Sequence, residues 1–76
     1  MDKAYVLLNV ELGSDREVQD SLKEIPDVNE IHKIYGVYDF IIRVEAETPQ
    51  ELKDLIDNRI RGIEKIRSAL TLLFIK

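Results

Sequence analysis

Val6-Leu7-Leu8-Asn9-Val10-Glu11 returns 34 residues later (40 − 6) as Phe40-Ile41-Ile42-Arg43-Val44-Glu45. This recurrence decides the fold. In both copies one set of alternate positions is uniformly apolar, the period of a strand with a buried face. A helix-start signature stands at the same offset, Ser14-x-x-Glu17-Val18 against Thr48-x-x-Glu51-Leu52. In each, the hydroxyl is set to accept from the backbone N–H three residues on, while the glutamate reaches back. The exits Ile25-Pro26-Asp27-Val28 and Ile60-Arg61-Gly62-Ile63 are offset by 35 (60 − 25), so the second helix carries one inserted residue.

The duplicated unit is βαβ. Ala4 to Val10 reads as a strand, and Val18, Leu22 and Ile25 recur at helical spacing until Pro26 ends the helix. Val28 to Tyr35 and Phe40 to Ala46 are the second and third strands. Thr48 caps a second helix with Pro49 at its first position, and Leu52, Leu55, Ile56 and Ile60 form its buried stripe. Gly62 lies near the C-terminal end of that helix. Ile63 to Ile75 supplies the last strand, strongest over Leu70 to Ile75. The order βαββαβ, with right-handed crossovers, interleaves the halves into one four-stranded antiparallel sheet with both helices on one face. This is an α+β fold of the ferredoxin-like arrangement.

Seventy-six residues make one domain over 1–76, with a modest core for its surface. Yet 45% of the residues are hydrophobic, and the absence of cysteine excludes disulfides and Cys-based metal sites. Val6, Leu8, Val10, Phe40, Ile42 and Val44 should lie under the helices. The opposite sheet face carries Tyr5, Leu7 and Ile41 among Asn9, Arg43 and Glu45. That much aliphatic and aromatic surface predicts a sheet-to-sheet dimer. The net charge of −4, with basic residues interleaved among acids, argues against a nucleic-acid partner. No signal-peptide pattern and no apolar run of the ~20 residues that span a bilayer is present, so a cytoplasmic chain without membrane contact is expected.

Chemistry has few places to reside. His32 is the only histidine, and the acids Asp15, Asp20, Glu24, Asp27 and Glu30 do not have the spacing of a calcium loop. Ser14 and Thr48 are accounted for as caps. Neither GxGxxG nor GxxxxGK[ST] occurs, and no cofactor is indicated. The hairpin Ile34-Tyr35-Gly36-Val37-Tyr38-Asp39 remains. Its glycine supplies a positive φ, while an acid at the root of a strand has to be solvated, hydrogen-bonded or used. Asp39 either caps its own turn or pairs with a cationic group of a ligand. The residues alone leave both readings open.

The βαββαβ repeat, the Pro26-Asp27-Val28 element and the Gly36-x-Tyr38-Asp39 hairpin together resemble the ligand-binding and oligomerisation domain, often called RAM, of the Lrp/AsnC transcription regulators. The resemblance covers essentially the whole chain. Full-length regulators carry an N-terminal helix-turn-helix, whereas only four residues precede Tyr5 here, so a stand-alone domain without DNA binding of its own is expected. The resemblance implies a non-enzymatic protein. Its face-to-face dimers (a dimeric α+β barrel) would build a ring such as an octamer or decamer and hold a free amino acid between dimers. It would modulate, or co-assemble with, full-length Lrp/AsnC regulators.

Carried onto this sequence, Gly36, Val37, Tyr38 and Asp39 line the amino-acid pocket, with Tyr35 and Ile34 as further wall residues. Asp39 suits the α-ammonium and backbone N–H groups near Gly36 the α-carboxylate. Where the family's last strand often begins Thr-x-Thr, this chain has Ile66-Arg67-Ser68. Ser68 alone keeps a hydroxyl, and Arg67 points to a ligand side chain of different chemistry. Two alternatives stand beside this reading. One is a small isomerase or monooxygenase of the dimeric barrel type, using His32 with Tyr35 or Tyr38. The other is a ligand-free assembly protein in which Asp39 only ties down its turn.

Overall fold

A computed structural model describes residues 2–73, and the expectation that the last strand runs on to Ile75 falls partly outside them. The alternation read in the sequence is the burial pattern of the sheet. In β1 (Asp2–Val10), Ala4, Val6, Leu8 and Val10 point inward and are buried. In β3 (Phe40–Ala46), Phe40, Ile42, Val44 and Ala46 do the same. The two strands are antiparallel, with Val6 opposite Ile42 and Leu8 opposite Phe40, so inward side chains meet inward side chains across the ladder.

β2 (Val28–Lys33) pairs with β3, and β4 (Ile66–Leu73) pairs with β1, giving the antiparallel order β2-β3-β1-β4. The two repeats are therefore interleaved, each contributing one central and one edge strand. Helix α1 (Asp15–Lys23) lays Val18 and Leu22 on the inner face, with Ile25 following in its exit turn. Helix α2 (Pro49–Asp54) adds Leu52. These side chains form one continuous core. Fully burying each large aliphatic or aromatic group contributes about 1.5–3 kcal/mol.

The inserted residue of the second repeat has a structural form. After α2 the chain winds as a π-helix over Leu55–Ile60, closed by Arg61 N–H donating to the Ile56 carbonyl five residues back at 3.0 Å. A wider turn absorbs one extra residue without rotating the flanking helix out of register, so Leu55, Ile56 and Ile60 all stay buried. Gly62 follows directly. A Cβ there would stand 2.4 Å from the Asn58 carbonyl oxygen, so the exit closes tightly only around glycine.

Three local expectations are corrected. The last strand begins at Ile66 rather than Ile63, because the chain is still turning over residues 61–65. The second strand ends at Lys33 rather than Tyr35: Lys33–Phe40 is its last regular pair with β3, and one further bond, from Ile34 N–H to the Asp39 carbonyl at 3.0 Å, closes the base of the hairpin. Ser14 stands at the N-cap of α1, but its hydroxyl makes no cap bond. It donates instead to the Glu11 carbonyl at 2.6 Å, in a buried position. The matching Thr48 caps as read, its Oγ1 accepting from Glu51 N–H at 3.1 Å.

Candidate functional site

One end of the sheet gathers the end of β1, the start of β3, the start of β4 and the hairpin Ile34–Asp39. The β1–β4 ladder is irregular there. Asn9 faces Ser68 and Val10 faces Ile66, so Arg67 is an extra residue on the β4 side. Such a bulge re-aims a side chain that strict alternation would send to the other face. Arg67 and Ser68 are consequently both exposed, and both line the same cleft.

Asp39 sits across from them at the root of β3. Its N–H donates to the Leu8 carbonyl at 2.8 Å, and its Oδ2 accepts the Val10 N–H at 2.8 Å. The carboxylate thus extends the β1–β3 ladder one step beyond Leu8–Phe40, the last regular pair. Oδ1 accepts no hydrogen bond from a described residue. The cleft between Asp39 and the bulge has a volume of about 450 Å³ and is lined by Asn9, Val10, Asp39, Arg67 and Ser68. Asn9 Nδ2 donates to Ser68 Oγ at 3.2 Å across its floor. Asp39 and Arg67 form no ion pair with each other or with another described residue, although opposite charges in water attract.

The sequence candidates divide accordingly. Asp39, Arg67 and Ser68 come together, although Asp39 lies 28 positions from Arg67 (67 − 39). Ile34, Tyr35, Gly36, Val37 and Tyr38 do not line this cleft. Tyr35 and Val37 are almost wholly exposed at the hairpin tip, with Gly36 between them at φ +132°, a backbone conformation that favours glycine. Asn9 and Val10 were not among the candidates. The single hint in the sequence is that Asn9 is the polar residue of its repeat at the position where the other repeat has Arg43.

A second polar group occupies the outer sheet face. Arg43 Nη1 donates to Glu30 at 2.8 Å and its Nη2 to Glu45 at 3.2 Å, while His32 Nε2 lies 3.0 Å from Glu30 Oε1. The His32 contact first, and then Arg43, hold the Glu30 carboxyl below its usual range. Glu45 and Glu30 hold Arg43 more firmly protonated. His32 is exposed on the edge strand and paired to Glu30, and Tyr35 points into solvent. Among the described residues no cluster of His, Cys, Asp or Glu is arranged to hold a metal ion, and no helix is long and apolar enough to cross a membrane.

Residues 3–76 match the family model described as the Lrp/AsnC ligand binding domain. The crystal structure of FFRP-DM1 is similar over its whole length, with 35% identity and a TM-score of 0.95 over 99% of this chain and 100% of that one. The HTH-type transcriptional regulator FL11 of Pyrococcus furiosus is 26% identical over 73 residues, which are 96% of this chain and 48% of the regulator. A homocitrate synthase of Sulfurisphaera tokodaii is 44% identical over 55 residues, 72% of this chain and 12% of that protein. The chain thus spans half or less of the length of these curated relatives.

Proposed function

The chain belongs to the Lrp/AsnC ligand binding domain family, and we propose that it is a non-enzymatic module that binds a free amino acid and self-assembles. One observation carries the reading: an acid and a base, Asp39 and Arg67, line one cleft without pairing with each other. An α-amino acid presents an ammonium and a carboxylate on one carbon atom. The free Oδ1 of Asp39 suits the first, and the guanidinium of Arg67 the second. The carboxylate role thus passes from the backbone near Gly36 to the β4 side of the cleft. The exposed hairpin carrying Gly36, Val37 and Tyr35 is left available to close the cleft of a neighbouring copy.

Assembly follows from the outer face. Leu70 and Leu72 are 45% and 48% exposed, and they stand opposite Leu7 and Tyr5 of β1. A second copy packed on this face would form the dimeric barrel, and rings of such dimers would bring hairpins to clefts. The module's likeness to part of a transcriptional regulator supports a role in modulating, or co-assembling with, full-length Lrp/AsnC regulators. The bond from Val10 to Asp39 Oδ2 favours a second reading, in which the acid serves the fold alone and the protein only assembles.

Calorimetric titration of the twenty L-amino acids, run alongside multi-angle light scattering, separates the two. Saturable binding of at least one amino acid, lost in Asp39→Asn, is the expected result. A protein that binds none of them in any assembly state is an assembly protein, and the amino-acid reading falls.

A further inference from the structure

We propose that His32 is a pH switch on face-to-face assembly: uncharged, it lets two copies close over the outer sheet face, and protonated, it holds them apart. This rests on the sheet-to-sheet reading above and adds the condition under which the dimer forms.

The inference follows from where the imidazole stands and from the charges around it. His32 is opposite Ile41 of β3, in the row that continues through Leu7 to Leu70. It therefore lies on the face where Leu70 and Leu72 are half exposed. A chain of ion pairs runs beside that row from β1 to β2. Lys3 Nζ is 3.9 Å from Glu45, Arg43 lies 3.2 Å from Glu45 and 2.8 Å from Glu30, and His32 Nε2 lies 3.0 Å from Glu30. Lys3 of β1 and Arg43 of β3 thus balance Glu30 of β2 and Glu45 of β3, two against two. Tyr5 of β1 stands opposite Arg43. Lys33, next to His32 in sequence, pairs instead with Asp15 of α1. At the cleft end Asp39 and Arg67 are again one acid and one base.

With His32 uncharged this face sums to zero, although the whole chain carries −4, so a second copy can meet it without net repulsion. Protonated, His32 adds a charge for which no carboxylate of the set remains, since Glu30 already accepts from Arg43. In the single chain the excess is solvated, because the imidazole is 58% exposed. Beneath a second copy it is cut off from water, and twofold symmetry supplies it twice. Imidazole is the side chain whose charge ordinarily changes between pH 5 and 8. Glu30, held below its usual range, stays ionised through that window. Mild acid therefore opens the dimer.

The test is a dilution series of the full chain by sedimentation velocity at pH 7.5 and pH 5.5, read as the concentration at which half the protein is a single chain. For wild type that midpoint should rise at least about tenfold at the lower pH, since each dissociating dimer takes up protons at two sites. His32→Gln keeps a polar group without the charge, and its midpoint should change about twofold or less. His32→Arg carries the charge at both values and should dissociate at pH 7.5 about as readily as wild type does at pH 5.5. Far-UV circular dichroism at each pH establishes that the single chain is folded.

A midpoint that is unchanged or lower at pH 5.5 overturns the switch while leaving the dimer intact, and so does a His32→Gln variant that keeps the wild-type shift. Wild type that stays a single chain at pH 7.5 at every concentration overturns the sheet-to-sheet reading and the switch together. If His32→Gln does not fold, His32→Asn takes its place in the same series, with the same expected result.

Discussion

The carboxylate of Asp39 takes the place of a strand residue for Val10, accepting its backbone N–H at 2.8 Å where the β1–β3 ladder has no regular pair left to offer. An acid at the start of an apolar strand therefore serves the fold with one oxygen and leaves the other free. The two roles are separable by substitution. Asp39→Ala orphans the Val10 amide and should cost about 1–3 kcal/mol. Asp39→Asn keeps a carbonyl oxygen for that amide and should cost less, while removing the charge offered to a ligand. Urea unfolding of both variants checks this. Equal destabilisation would mean that the bond to Val10 depends on charge rather than on an available acceptor.

Ser14 and Thr48 occupy matching places in the two repeats and should respond oppositely to the same change. Thr48 is an acceptor for the Glu51 amide, and aspartate is at least as good an N-cap, so Thr48→Asp should keep stability within a few tenths of a kcal/mol. Ser14 is a buried donor to the Glu11 carbonyl. Ser14→Asp removes the donor and sets a carboxylate against a carbonyl oxygen, a loss of about 1–3 kcal/mol. Thermal denaturation of the two variants side by side reads the difference directly.

That pair also marks where the sequence stops being legible. The repeat of Val6–Glu11 in Phe40–Glu45 specifies strands, buried faces and topology, because a period of two and a conserved offset are local signals. Even the one-residue change of offset, from 34 to 35, announces the extra residue that becomes the π-helical turn Leu55–Ile60. Ser14-x-x-Glu17 and Thr48-x-x-Glu51 carry the same signature, yet only the threonine caps: Thr48 has the extended backbone of an N-cap (φ −130°, ψ 157°), whereas Ser14 does not (φ −102°, ψ 13°). The cleft was half legible. Asp39 stands out as an acid in an apolar run, but Asn9 acquires a role only through Ser68, 59 positions away. The bulge that exposes Arg67 is a matter of long-range register, which no short window of sequence contains.

Stability should fall on the acid side partly through Glu30. Its carboxyl is held below the ordinary value of 4.5, first by His32 and then by Arg43. A carboxyl depressed in the folded state stabilises the fold fully above its unfolded value and loses that contribution as pH drops through the lowered native value. Melting temperature should therefore decline from about pH 4.5 downward, and Glu30→Gln should lower the plateau near neutrality and flatten part of that decline, because the contribution it removes is the one that wild type loses in acid. Melts across the acid range test it. Superimposable acid limbs for wild type and variant would remove Glu30 from the account.

The row His32, Ile41, Leu7, Leu70 runs across all four strands on the outer face, and beside it Leu72 stands opposite Tyr5. Leu70 is already 45% exposed in the isolated chain, so Leu70→Glu adds a charge to solvent and should leave the monomer fold nearly unchanged. In a face-to-face dimer the same carboxylate would be buried near its symmetry-related copy without a partner, at a cost of several kcal/mol. Light scattering at micromolar concentration should accordingly find wild type well above the 8.8 kDa of a single chain and Leu70→Glu close to it. A variant that keeps the wild-type mass would place the assembly contact elsewhere. The edge strands β2 and β4, each with one side free of ladder partners, are the next surfaces to substitute.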